Sequence, residues 1–411
     1  MKKFGIEPIV ITRQWENKFG NYRDYISKSK SKTTVIEKNQ LGTVIKTPYC
    51  PNIANRILLK YGPHRLLVLR KLISAFFEIL QFFIIIGPKK NIYLEANTFL
   101  KSNKVDLIIA SAEPFVLFSY ASKLSSIFNI PWIADYRDTW SQDDRNSKVR
   151  KLWNSFLEQK TLKNASFITT VSNLFRVEIS KTIKKQNIHV IPNGFIAEHF
   201  KNPEQSKNNQ KLVICYMGTI YKWHPIESFL KTFVDLVNNE KLDIELHFYG
   251  INKELELKQI LNKFTDNFSD YIFFHTKARN EQLKHKFFNV NLFLLFNDHE
   301  NIGTKIYDYL VLKRKIILCF TDDENTNMLK KAHYNIKPKK TVSTTQQSDL
   351  LQLTSAGESI KNTNELRKVL IKTFKEFKEN GFIEIKSKNI DNYSRKRQTK
   401  KLCNLISSIN K

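Results

Sequence analysis

Glycine is scarce in this chain: 11 residues in 411, where ~7% is usual. Few places are left for a left-handed turn or for close approach of backbone to a ligand. No Gly-rich turn stands ahead of the first strand-like run, EPIVIT at 7–12. Cysteine is scarcer. Cys50, Cys215, Cys319 and Cys403 lie far apart, and two sit inside apolar runs. That spacing fits neither a metal site nor a disulfide framework, and it suits a reducing, cytoplasmic compartment. No signal peptide is visible at the start. No apolar tract reaches the ~20 residues a membrane-crossing helix needs. In the most apolar stretch, 64–86, Arg70, Lys71 and Glu78 interrupt the run.

Acidic residues are in deficit as well. Asp and Glu total 39 against 67 Lys and Arg, a formal net charge of +28. Such an excess favours anionic partners. No zinc-finger spacing, RNA-recognition signature or helix-turn-helix pattern is present, so nucleic acid is not the expected partner. Phosphorylated substrates and an anionic membrane surface remain. The 65–86 segment reads either as a core helix or as a membrane-facing one, bordered by Arg56, Lys60, Arg65, Lys89 and Lys90.

What is present is the composition of a soluble globular protein, with 41% hydrophobic and 26% charged residues. The length suggests two or three domains. The most informative stretch is 290–320: VNLFLLF, NDHENIG, TKIYDYLVLKR, KIILCF. Two short uncharged runs suit strands buried on both faces. Between them Ile306, Tyr309 and Leu310 recur at helical spacing, and Thr304 stands where an N-cap belongs. This is a βαβ unit whose loop, 297–303, follows its first strand. In open parallel sheets ligands bind at that edge. Gly303 admits close approach, the helix start offers N–H groups to an anion, and Lys305 adds positive charge. Glu300 and Asp308 flank this phosphate-like site with seven residues between them. The plainer alternative leaves Asp308 complementing the helix dipole and Glu300 a solvated loop residue.

The run ENIGTKIYDYLVLKRKIIL resembles the donor-site signature of retaining, family-4-like glycosyltransferases of the two-Rossmann (GT-B) architecture. That signature has two glutamates separated by seven residues; Glu300 matches the first, and Asp308 stands at the second. The resemblance implies that Glu300 touches the donor sugar and that Asp308, one methylene short, holds the nucleotide ribose. It covers roughly residues 1–20 and 105–411 and is weak between 20 and 100.

Taken in order, the chain is expected to enter on the last turn of a helix capped by Gly5. The expected first domain, 1–200, then lacks its N-terminal strand and Gly-rich loop, EPIVIT serving as a second strand. Residues 13–42 read as loop-rich, 43–48 as a strand, and VDLIIAS (105–111) as a buried parallel strand. Residues 131–140 form a strand ending in a charged cluster. The resemblance makes Asp135, Arg137 and Asp138 acceptor or cleft residues, with Asp138 placed among the catalytic groups; an internal Arg–Asp pair is the alternative. Residues 152–166 read as an amphipathic helix with apolar Leu152, Phe156 and Leu157. FITTVS (167–172) and IHVIPNGF (188–195) are strands, the latter carrying the family's Pro-Asn-Gly. Residues 201–210 contain no apolar side chain and read as the linker.

The second domain, 211–392, opens with KLVICYMG. The resemblance assigns donor binding to Gly218, Thr219, Lys222, Lys277, Ala278, Asn301, Ile302, Gly303, Thr304 and Asp308, while Tyr221 and Trp223 read equally as packing residues. Residues 341–363 read as a polar surface excursion, 364–377 as a helix, and 393–411 as a terminal helix crossing back to the first domain.

The expected fold is therefore α/β, two Rossmann-like domains facing each other across a cleft. The expected function is transfer of a sugar from a nucleotide-sugar to a lipid-linked or saccharide acceptor in cell-surface polysaccharide synthesis. The resemblance implies retention of configuration, no metal and no cofactor, with Glu300, Lys305 and Asp138 as the catalytic residues. The expected location is the cytoplasmic face of the plasma membrane. A nucleotide-sugar epimerase on the same fold and an inactive partner subunit are the alternatives.

Overall fold

The computed structural model describes residues 1–15, 22–143, 146–184, 186–200, 209–277, 286–298, 302–334 and 345–409. The chain divides into two compact units, Met1–Ile191 with Thr399–Lys411, and Pro192–Gln398. No helix among the described residues is long and apolar enough to cross a membrane.

The first unit opens with a 3-10 turn, Lys2–Phe4, closed by Gly5 in a left-handed conformation. Its elements follow as β1 (Ile9–Arg13), α1 (Tyr22–Ile26), β2 (Val35–Asn39), β3 (Gly42–Thr47), α2 (Ile53–Tyr61), α3 (Leu67–Leu80) and α4 (Lys90–Ser102). Then come β4 (Ile108–Ala112), α5 (Val116–Phe128), β5 (Trp132–Tyr136), α6 (Lys148–Leu162), β6 (Phe167–Thr170), α7 (Asn173–Thr182) and β7 (Ile188–Val190). The strands form two sheets. One has the order β1-β3-β2, and the other is the parallel series β4-β5-β6-β7. Trp132, Tyr136, Phe118 and Ile168 are fully buried at the centre of the second.

Several expectations change here. The 13–42 segment holds a helix and a strand. Within the 105–111 run the strand starts only at Ile108: β4 is an edge strand that buries one face, Ala110 and Ala112, and leaves Ile109 on the exposed face. In α6, Leu157 is buried but Leu152 and Phe156 face solvent. The helix over 65–86 stops at Leu80.

The second unit contains β8 (Leu212–Met217), α8 (Ile226–Asn238), β9 (Ile244–Tyr249), α9 (Glu254–Leu261), β10 (Ile272–His275), β11 (Leu292–Phe296) and α10 (Lys305–Leu312). It continues with β12 (Lys315–Cys319), α11 (Glu324–Tyr334), α12 (Gln346–Thr354), β13 (Gly357–Ile360) and α13 (Thr363–Asn380). A final helix, α14 (Arg395–Ser407), runs out of this unit, and its later turns belong to the first. The sheet order is β10-β9-β8-β11-β12-β13, with every pairing parallel. Every residue of β11 and β12 is buried, and apart from Lys315, which pairs with Glu358, both read as apolar runs. α8 turns Phe229, Leu230, Phe233 and Val234 into the same core. Ile306, Tyr309 and Leu310 are buried on α10, and the Met217 N–H donates to the Tyr309 hydroxyl at 2.9 Å.

The 341–363 segment is not a surface excursion: its described part forms α12 and β13, the latter paired with β12. The buried face of α12 includes Gln347 and Thr354 beside Leu350 and Leu351, so its hydrophobic signal is half lost. The unit boundary also lies earlier than the composition suggests. Phe195 is buried in the second unit, its N–H donates to the Tyr393 carbonyl at 3.1 Å, and its carbonyl accepts from Arg395 N–H at 2.8 Å. Of the expected linker, 201–208 lie outside the described residues.

Candidate functional site

In the second unit the winding of the sheet reverses between β8 and β11. β9 and β10 lie to one side, β12 and β13 to the other. Loops leaving the carboxyl ends of β8 and β11 therefore diverge, the arrangement that opens a ligand crevice.

The β8 loop begins at Gly218, with φ of 89°. A Cβ there would overlap the Lys305 ammonium and the methylene beside it. Glycine is required for both reasons, backbone conformation and room for the lysine. Lys305, at the start of α10, lays its ammonium over the Tyr216 ring, 5.5 Å from the centroid. Burial pushes its pKa down to about 8, and the charge of Asp298 opposes that shift.

Asp298 follows β11 and is the hub of the loop. Its N–H donates to Gln347 Oε1 at 2.7 Å. Its Oδ1 accepts from Trp223 Nε1 at 3.0 Å and lies 3.3 Å from His224 Nε2. The Tyr221 N–H donates to His224 Nδ1 at 3.3 Å, so the imidazole proton sits on Nε2 and faces Asp298. Burial pushes the His224 pKa down, against its bond to Asp298, and the nearby Lys305 and Lys330 charges push the same way as burial. His224 is thus the neutral tautomer at neutral pH. Trp223 stacks on Tyr221 at 4.5 Å between centroids, and its far face meets His333 at 4.6 Å. Asn297 is buried, and its Oδ1 has no hydrogen-bond partner among the described residues.

Lys330, on α11, is 5% exposed, and burial lowers its pKa with Asp298 again opposing. Neither Lys305 nor Lys330 forms an ion pair among the described residues. Among the described residues, two ammonium groups, Lys330 buried and Lys305 half-buried, therefore share the field of one carboxylate that is already bonded to Trp223 and His224, a setting suited to an anion.

The expected site residues distribute unevenly. Gly218 and Lys305 come together as described. The Thr219 carbonyl accepts from the Tyr216 hydroxyl at 2.7 Å. Lys222 is exposed, so it does not share the interior position of Lys305 and Lys330. Lys277 is exposed after β10, and Ile302 packs on the core. A Cβ on Gly303 would lie 3.7 Å from Asp298 Oδ2. Asp308 occupies the first turn of α10 and is partly buried. Thr304 stands at the N-cap position but has helical φ and ψ and no capping side-chain bond, a correction to the expected cap. Glu300, Asn301 and Ala278 lie outside the described residues.

In the first unit, Asp135, the penultimate residue of β5, is held by three neighbours. Its Oδ2 accepts from Arg137 Nε at 2.9 Å and Ser111 Oγ at 2.8 Å, and its Oδ1 accepts from Thr169 Oγ1 at 2.8 Å. The internal Arg–Asp pair is thus present. Arg137 and Asp138 are exposed beyond it. Sequence reasoning missed His224, Asp298, Lys330 and Gln347; only a polar residue inside the 297–303 loop could have pointed to Asp298.

No family model matches the chain. Over 135 residues it is 25% identical to an uncharacterised glycosyltransferase of Methanocaldococcus jannaschii; that stretch is 31% of this chain, and the chain spans about a third (34%) of the relative's length. Among solved structures, sucrose-phosphate synthase from Thermosynechococcus elongatus is similar with a TM-score of 0.54 and 12% identity, covering 98% of this chain and 88% of that one. Anabaena HepE, solved in complex with UDP-glucose, is similar with a TM-score of 0.51 and 12% identity over 81% of this chain and 89% of its own. At these identities the likeness establishes the fold: α/β, with two Rossmann-like domains of the GT-B class.

Proposed function

We propose that the chain is a glycosyltransferase whose second unit holds a nucleotide-sugar by its diphosphate. The observation that carries this reading is the pair of ammonium groups, Lys330 buried and Lys305 half-buried over the Tyr216 ring, near Asp298 at the reversal point between β8 and β11. A diphosphate complements both. The N–H groups at the start of α10 add donors to the same anion. As the sugar–phosphate bond breaks, charge accumulates on the departing diphosphate, and these fixed groups stabilise it without reorganising. Glu300 then orients the sugar, Asp308 holds the ribose, and the backbone near Lys277 and Ala278 faces the base. The departing phosphate takes the acceptor's proton, so configuration is retained with no metal or cofactor. Asp135 shapes the acceptor side by fixing Arg137, with Asp138 beside it. The acceptor is a lipid-linked or saccharide molecule of cell-surface polysaccharide synthesis, met at the cytoplasmic face of the membrane. A solved relative in fold that carries UDP-glucose supports a nucleotide-sugar as the ligand class.

Binding of nucleoside diphosphates to the full chain, in buffer containing a chelator, tests the reading. UDP should bind, and Lys305→Gln and Lys330→Gln should each weaken it by about tenfold, one charge-assisted contact being worth roughly 1.5–3 kcal/mol. Unchanged affinity in both variants would overturn the site. Sugar interconversion without acceptor would identify an epimerase instead, and binding without turnover on any acceptor would identify a partner subunit.

A further inference from the structure

Two neighbouring helices of the first unit present apolar stripes to solvent. On α6, Val149, Leu152, Trp153 and Phe156 follow helical spacing on one face, and Val149 and Leu152 are 78% and 74% exposed. On α3, Val68, Leu72, Phe76 and Ile79 do the same, with Val68 at 71% and Leu72 at 65%. The opposite face of α6 is an ordinary buried one, with Leu157, Thr161 and Leu162 in the core. The two helices are tied together: Arg150 Nη2 donates to Glu78 Oε2 at 2.8 Å, and the ring of Phe83, just beyond α3, lies 6.1 Å from that of Trp153. Their stripes therefore belong to one surface. A continuous apolar surface of this kind on a soluble unit marks an interaction site.

The charges around the stripes select its occupant. Lys71, Lys148, Arg150, Lys151 and Lys160 stand on these helices, and Arg65 just precedes α3. The carboxylates on the two helices are Glu78, paired with Arg150, and Glu158, buried under Tyr136 and Ser141, with Asp143 ahead of α6. Exposed apolar side chains within a ring of cations match the interface of an anionic bilayer, where acyl chains take the former and headgroups the latter. A second copy of this chain meeting the same face would set these cations against themselves. From this surface we infer that α3 and α6 together form a membrane-docking face for anionic lipid. It deepens the proposed encounter at the membrane by naming the surface, and its test does not require sugar transfer. Lys89 is not part of the face: it lies partly buried over the Tyr49 ring, with burial pushing its pKa down to about 8.

Flotation of the full chain with phosphatidylcholine–phosphatidylglycerol vesicles, without any sugar donor, tests the inference. The chain should float with these vesicles and not with phosphatidylcholine alone. Binding should drop at least about tenfold in Leu152→Ser/Phe156→Ser and in Lys148→Ala/Lys151→Ala, and on raising salt. All the replaced side chains reach solvent, and unchanged melting curves confirm intact folding. As a second measurement, lipid should shift the tryptophan emission of the parent chain to the blue and leave that of Trp153→Phe nearly unshifted. A parent chain that stays unbound, variants that float as the parent does, or a solution dimer dissociated by Leu152→Ser/Phe156→Ser would each overturn it.

Discussion

Lys305 carries its charge in a place that resists it. Its folded pKa lies near 8, against an ordinary value of 10.5. Between those two pH values the unfolded chain binds more protons than the folded one. As far as this group is concerned, stability therefore rises with pH across that window. Anion binding runs the other way, because the diphosphate wants the ammonium form. UDP affinity should hold below pH ~8 and fall by up to about tenfold per unit above it. Isothermal titration at stepped pH checks this, and Lys305→Gln should flatten the dependence. Gly218 is the second residue on which the site turns. Gly218→Ala must adopt φ of 89° and displace the Lys305 side chain. The expected cost is roughly 1–2 kcal/mol of stability from backbone strain alone, read as a lower urea midpoint, together with weaker UDP binding.

Among the elements, α10 is locked to β8 by one buried bond, Met217 N–H to the Tyr309 hydroxyl. Tyr309→Phe leaves that N–H unsatisfied, which costs on the order of 1–3 kcal/mol. The denaturant midpoint should fall with the slope unchanged. The β11–α10–β12 unit was legible in the sequence because its strands are apolar but for Lys315 at the start of β12, and its helix keeps one apolar face. α12 and β13 were not, since Gln347 and Thr354 sit in the core and β13 is a short edge strand rich in polar residues. α6 misled in the opposite direction: its periodicity is genuine, but part of its apolar surface points outward. Pattern gives the period of an apolar stripe and not what lies against it. Of the candidate site, Gly218 and Lys305 could be read because they lie in contiguous motifs. Asp298 and its partners could not, as Trp223 and His224 meet it from about 75 positions away in the chain, and Lys330 acquires its role only through burial.

At the scale of the whole molecule, both chain ends belong to the first unit, and the second is inserted between residues 191 and 399. A small parallel bridge, Phe195 to Ser394, clasps the entry and exit of the insert. The last turns of α14 supply Leu402, Leu405 and Ile406 to the apolar cluster around Ile133 and Phe167. Deleting 399–411 should therefore lower the melting temperature of the first unit and speed its proteolysis, while the second unit keeps its transition and its UDP binding. The same connectivity bears on the order of events at the ribosome. Domains ordinarily fold in the order in which they are made. Here the second unit has all of its own residues once Gln398 has emerged, while the first, whose residues 1–191 are made earlier, still waits for 399–411. Of these two units, the one whose residues begin to appear sooner is the later to close.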